Sequence, residues 1–375
     1  MLVDTQYSHR LESIEAQIER WLPGKDAAMD SAWQSAVFPG LENADAALVR
    51  CLTEPGRNLV CRGGKRWRPM LMVLLCEALG GGNAALPLAP LVEFSHNASL
   101  IHDDIEDCSD ERRGKPAVHV LYGNDTAINS GSFLYFLAPA CIDSWVSDLV
   151  AQGGLCKNDA PFAKATVFDL WAGFMRKLHL GQAMDIHWHR NAGLIPTPQM
   201  YFTMCALKTG CLARLAAELA VSTAGIFGGD TATNEASPVM MQMGVAAEKL
   251  GIGFQILDDV KNISTGIAGK NRGDDIVEGK KSLPVLLFLR RYPEKTETVF
   301  RCFKQARSAG IEAPEVEELI RTLVSSGVLA EAEQQAKTFI RQAKETFAAL
   351  PPERAGEDGA ASARALLAGL VDSMV

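Results

Sequence analysis

No run of eighteen consecutive apolar residues occurs in this chain of 375, so no helix is expected to span a membrane. Its first ten residues lack a basic stretch followed by an apolar one, and no secretory signal is expected. A basic surplus is missing too. The net charge is −8, whereas a nucleic-acid partner usually calls for the opposite sign. The nine cysteines are odd in number and include no Cys-x-x-Cys pair, which argues against a disulfide framework or a zinc site. A reducing, cytoplasmic setting is the expectation. No Pro/Gly/Ser-rich linker divides the chain, and convincing strand alternation is absent. Helix-period patterns remain, in a chain 47% hydrophobic, and they predict an all-α protein with one large core.

What is present is acidic and occurs twice. The stretch 96–107, with Phe94, Ala98 and Ile101 at helical spacing, reads as a helix carrying Asp103, Asp104 and Asp107. Asp103 and Asp107 stand one turn apart, where like charges cost a bare helix roughly 0.2–0.5 kcal/mol per pair. The stretch 254–262 repeats the geometry with Asp258, Asp259 and Asn262, after an apolar and small-residue stripe at Ala247, Gly251 and Phe254. One such motif is more often a solvated helix end. Two, each followed by basic residues, call for a counter-charge, and Mg²⁺ shared between carboxylates and a substrate diphosphate supplies it.

Other blocks fall between and around these motifs. Gly63-Gly64-Lys65-Arg66-Trp67-Arg68-Pro69 is a loop of basic side chains running into an apolar helix, a reasonable diphosphate seat. Arg112-Arg113-Gly114 follows the first acidic helix. Gly181-Gln182 with Asp185, Lys208-Thr209-Gly210 in a helix, and Asp275 to Lys280 complete the order. A lysine facing a cavity costs desolvation unless it meets an anion. Thr265 to Lys281 is Gly- and charge-rich and reads as a mobile flap, with Lys270 or Arg272, then Asp275 and Lys280, closing over phosphates. His187 and His189 alternate with Trp188 in a spacing that suits a strand, so they are not read as ligands.

Six blocks in this order resemble the trans-isoprenyl diphosphate synthases (polyprenyl synthetases), from about Gly63 to the last helix. The resemblance implies a single domain of about a dozen helices around a deep central cavity. Residues 1–45 would be an N-terminal helical extension, 46–350 the catalytic core and 351–375 a C-terminal helix. It also implies a homodimer and a head-to-tail condensation of isopentenyl diphosphate with an allylic diphosphate. In that reading Asp103, Asp107, Asp258, Asp259 and Asn262 serve the metal, with three Mg²⁺ ions present when substrate is bound and Asp104 in support. Lys65, Arg68, His96 and Arg113 hold isopentenyl diphosphate. Arg112, Lys208, Thr209, Gln255, Lys270 and Lys280 hold the allylic diphosphate, and Thr209 and Gln255 steady the cation. Asn262 departs from a full second aspartate motif, and Trp67 is bulkier than the resemblance leads one to expect.

Product length should follow the apolar depth below the first motif. Ala98 and Ser99, one turn down, are small, so a product of twenty carbons or more is expected. Phe133, Tyr135 or Phe136 would then provide a lower floor, and Ala98→Phe should shorten the product. Two other readings remain. A class I terpene cyclase would not need the isopentenyl diphosphate seat, and a regulatory subunit of a heteromeric synthase would be expected to have lost aspartates.

Overall fold

In the computed structural model, residues 2–24, 31–41, 45–191, 193–227, 237–266, 271–350 and 358–374 are described. Among them lie eighteen α-helices, more than the dozen expected because several are only a turn or two long, and one two-stranded hairpin. The fold is all-α.

Two helices form the centre. Cys211–Phe227 is apolar nearly all round, and every residue in it except Arg214 and Phe227 is buried. A helix without a polar face belongs inside. Trp67–Ala78 is buried at eleven of its twelve positions, each large apolar side chain contributing about 1.5–3 kcal/mol on burial. The C-terminal helix Asp358–Asp372 packs against Trp67–Ala78, and the N-terminal helix Leu2–Trp21 touches it and the helix Ala89–Glu106. One buried apolar cluster therefore runs from Ile14 to Met374.

Around this centre stand Ala89–Glu106, the 31-residue helix Ala160–Arg190, and Pro238–Ser264. Glycines let these helices come close. A Cβ on Gly181 would sit 2.4 Å from the backbone nitrogen of Lys208, and one on Gly251 would sit 2.6 Å from Gly210 Cα. Between the helices Pro198–Cys205 and Cys211–Phe227, residues Ala206–Gly210 form a π-helical turn. Such turns interrupt the 3.6-residue repeat and are frequent at functional sites. Here the turn carries Lys208 and Thr209.

Two expectations need correction. His187 and His189 lie in the last turns of Ala160–Arg190, not in a strand; the alternation was too short to outweigh the helix around it. The segment after Asn262 is not a loose flap throughout, since Asp274–Glu278 is a short helix. Two helical stretches, 124–151 and 198–227, do reach the length and hydropathy of a membrane span. The second is 89% buried inside the fold and the first 44%.

Candidate active site

The two acidic helices face one cavity of about 520 Å³, lined by Asp103 from one and by Asp258, Asp259 and Asn262 from the other. Asp103 is heavily engaged. Its Oδ1 accepts from Lys208 Nζ at 3.1 Å and from Gln182 Nε2 at 2.9 Å, and its Oδ2 accepts from Arg112 Nη2 at 3.3 Å. Burial works against its charge, but Lys208, Lys280 and Arg112 outweigh it and hold the carboxyl well below the usual range. Gln182 also bridges to Glu106 at 2.7 Å. Lys208 reaches Asp185 as well, at 2.6 Å; burial alone would lower this ammonium, and the two aspartates raise it instead.

Asp104 is fully buried and accepts from Arg112 Nε at 2.6 Å. Burial pushes its carboxyl up to about 6 despite that partner. Asp107 accepts from Lys280 Nζ at 2.7 Å. One oxygen on each, Asp104 Oδ2 and Asp107 Oδ1, is buried without a hydrogen-bond partner. An unsatisfied buried carboxylate oxygen is costly, and a cation would remove that cost. Among the described residues no three His, Cys, Asp or Glu side chains form a complete ligand cluster.

In the second cluster Asp259 is held by neutral donors. Tyr201 donates its hydroxyl to Asp259 Oδ2 at 2.5 Å, Gln255 Nε2 donates to Asp259 Oδ1 at 2.9 Å, and Thr209 Oγ1 donates to Gln255 Oε1 at 2.7 Å. Burial first, and Asp275 next, push the Asp259 carboxyl up to about 7. Asn262 is spent on the flap. Its Oδ1 accepts from the Asp275 backbone at 3.2 Å and its Nδ2 donates to Asn271 O at 3.3 Å, while Asn262 O accepts from Gly273 at 2.9 Å. Asn262 thus anchors the flap, and its amide oxygen, like the engaged carboxylates of Asp103 and Asp259, would meet a metal by exchanging that partner.

That anchoring seats the flap over the cavity. Lys280 crosses to Asp107 and also pairs with Glu278 at 2.5 Å. Arg272 turns away to Glu317, at 2.8 Å, and does not join the site. Lys270 lies outside the described residues.

At the other side of the cavity Lys65 and Gly64 stand on the rim, with Arg68, His96 and Arg113 beside them. Arg68 lies over the Trp67 ring at 4.4 Å, and Trp67 in turn packs on Phe254 at 5.7 Å. The bulky Trp67 thus braces the basic helix start against the second acidic helix and props the guanidinium by a cation–π contact. Arg68 Nη1 lies 3.4 Å from His96 Nε2. Burial, with Arg68, Arg113 and Arg112 added, lowers the imidazole well below its ordinary value, so His96 is neutral at pH 7. Arg66, by contrast, is buried in pairs with Glu15 at 2.8 Å and Glu93 at 2.6 Å and holds the loop from within.

The apolar end departs from expectation. Ser99 lines the cavity but Ala98 does not; it is fully buried behind the wall, where His102 Nδ1 donates to its carbonyl at 2.9 Å. Phe136 is 76% exposed on the outside, and Phe133 stacks on Phe38 at 5.9 Å. Helical rotation, invisible in a list of neighbours, points these two away. Tyr135 is the residue of that run which reaches the cavity, stacked on His102 at 5.6 Å and tilted against His179 at 5.3 Å.

Sequence reasoning missed Tyr201, Glu106, Glu278 and the π-turn. Tyr201 lies on the helix that leads into the π-turn, and nothing in its spacing marks it as the partner of Asp259.

The polyprenyl synthetase family model matches residues 49–321. A geranylfarnesyl diphosphate synthase of Aeropyrum pernix is 31% identical over 78% of this chain and 86% of its own. A geranylgeranyl pyrophosphate synthase of Neocamarosporium betae is 32% identical, over 65% of this chain and 63% of that longer one. Among solved structures, the polyprenyl synthase of Caulobacter crescentus, complexed with calcium and isoprenyl diphosphate, superposes with a TM-score of 0.69 at 25% identity, covering 98% of this chain and 97% of its own. With the cavity, the paired aspartates and the basic seat in place, the chain belongs to the polyprenyl synthetase family.

Proposed function

We propose that the protein condenses isopentenyl diphosphate head-to-tail with an allylic diphosphate, releasing an all-trans polyprenyl diphosphate of twenty carbons or more. The observation that carries this reading is a single cavity with two polar stations, one acidic and one basic, and an apolar lining from Leu100, Leu178, Met204, Leu212 and Phe254. Asp103, Asp107 and Asp258 would hold the metal, and Asp104 and Asp259 support them. Bound there, Mg²⁺ supplies the charge that stabilises a departing diphosphate. Mg²⁺ as the ion, and three ions with substrate bound, follow from the family resemblance, and the calcium of the Caulobacter synthase supports a divalent cation.

Lys208, Arg112 and Lys280 exchange their carboxylate partners for phosphate oxygens when the allylic diphosphate arrives. The Tyr201–Asp259–Gln255–Thr209 relay fixes the Thr209 hydroxyl so that its lone pairs face the developing allylic cation. Lys65, Arg68, neutral His96 and Arg113 orient the second diphosphate so that its double bond lies beside that cation, and positioning supplies much of the rate. Lys208 is locked in its charged form by Asp103 and Asp185 and is no base. The proton leaves to the released diphosphate. A terpene cyclase would have no use for the basic seat.

Tyr135, stacked on His102 and against His179, is the residue of the run 133–136 that lines the cavity, and this supports a floor there and a product near geranylgeranyl length. Purified protein incubated with labelled isopentenyl diphosphate, farnesyl diphosphate and Mg²⁺ tests the reading. A labelled product of twenty or more carbons is expected, and recovery of the fifteen-carbon starter alone would overturn it. Tyr135→Ala should then lengthen the product.

A homodimer belongs to the same reading. Val120, Leu121, Ile128 and Phe136, on the two neighbouring helices Val118–Tyr122 and Asn124–Leu137, are exposed apolar side chains, which supports pairing through these helices. Light scattering at micromolar concentration should give twice the chain mass. The nine unpaired thiols support a cytoplasmic setting.

A further inference from the structure

The hairpin that carries Arg112 and Arg113 is too small to hold its own shape. Its strands, Glu111–Arg112 and Lys115–Pro116, have two residues each, and Pro116 has no N–H to give. The turn residues Arg113 and Gly114 have φ of 54° and 70°. This is the left-handed pair that a two-residue hairpin turn requires, and at Arg113 it is disfavoured for a residue with a Cβ. Isolated two-stranded hairpins are marginal even when longer.

The arginine side chains help to pin it, Arg112 on Asp104 and Asp103, Arg113 on Gly63 O and on Asn97 Oδ1 at 3.4 Å. Those ties are the ones that must loosen when a diphosphate takes the guanidinium groups. A constant anchor has to grip the backbone instead. Arg62 does so. Its Nη1 donates to Arg112 O at 2.9 Å and to Lys115 O at 3.4 Å, and its Nη2 donates to Pro116 O at 2.8 Å. Its Nε and Nη2 also donate to Asn58 Oδ1, at 3.1 and 2.6 Å, which ties the guanidinium to the helix Ala46–Val60. A planar fork with five donors suits this task, and a lysine does not. Arg62 lies outside the cavity lining, on the far side of the hairpin.

We infer that Arg62 is a positioning residue: by clamping the hairpin carbonyls it presents Arg112 to one diphosphate and Arg113 to the other. The inference rests on the reading of those two arginines given above. The test uses full-length Arg62→Met and Arg62→Lys with two readouts. The first needs no catalysis: amide hydrogen exchange across residues 111–117 in substrate-free protein, expected to rise about tenfold in Arg62→Met and less in Arg62→Lys. The second is steady-state kinetics. KM for both diphosphates should rise about tenfold, the scale of lost supporting hydrogen bonds around a site, with kcat within about twofold. Unchanged exchange, a KM rise for one substrate alone, or a fall in kcat at constant KM would each overturn the inference. Should the wild type make no product, the proposed reaction fails, and the exchange experiment still decides whether Arg62 anchors the hairpin.

Discussion

The two aspartate clusters have nearly the same sequence but are held in different ways. The first is gripped by charge: Lys208, Arg112 and Lys280 reach Asp103, Asp104 and Asp107 from three other segments. In the second, neutral donors grip Asp259 and Asn262, Tyr201 and Gln255 on the one and flap backbone on the other. Cations at the first cluster stand where metal and substrate would balance the same carboxylates, so that cluster is built to exchange partners. Hydroxyl and amide donors on Asp259 and Asn262 give shape without neutralising charge, and they link the second cluster to the flap. Similar motifs therefore do different work: the first handles charge, while the second adds Asp258 and fixes the lid.

The sharpest way to break this contrast is to neutralise each cluster in turn. Asp103→Asn should lower kcat by about 10³-fold, several kcal/mol of transition-state stabilisation, and lower thermal stability as well, since Lys208 and Arg112 lose a buried charge partner. Asp259→Asn keeps a side chain that can still meet Tyr201, and should cost about tenfold in activity. Equal losses in the two variants, measured by product formation at saturating Mg²⁺, would erase the distinction. Next in size is Asn262→Ala, which removes the buried amide that seats the flap. It should cost about 2 kcal/mol in a denaturant melt and raise proteolytic nicking near residues 271–281. If stability is unchanged, the anchoring role fails.

The smallest effect concerns pH. His96 has a folded pKa below its unfolded 6.5 because burial and the neighbouring arginines disfavour its charge. Unfolded protein therefore binds the extra proton first, and the stability this group contributes is present above about pH 6.5 and lost as pH falls below it. Its imidazole signal, followed by NMR, should show no titration between pH 8 and 6.5. Protonation in that window would contradict the neutral donor–acceptor role at the basic seat.

The helices and the pairing of Asp103 with Asp258 were legible because apolar periodicity and spaced charges are local properties of the chain. The direction of a side chain around a helix was less so. Ala98 and Ser99 are adjacent, but only Ser99 meets the cavity, and Phe133, Tyr135 and Phe136 point to three different surroundings. The flap-anchoring bonds of Asn262 were not legible, because a motif shows a residue type and not what its amide holds. The π-turn at Lys208 had no signature at all, since it arises where three helices meet at Gly181, Gly210 and Gly251. Arg62 was passed over because its partners are backbone carbonyls some fifty residues away.

The most direct test of a shared metal site between the clusters is anomalous diffraction from crystals grown with Mn²⁺ and inorganic diphosphate. Manganese peaks beside Asp103 and Asp107 and beside Asp258, bridged by the diphosphate, are the predicted result. Manganese bound only away from these carboxylates, or diphosphate seated with no metal against either helix, would contradict it.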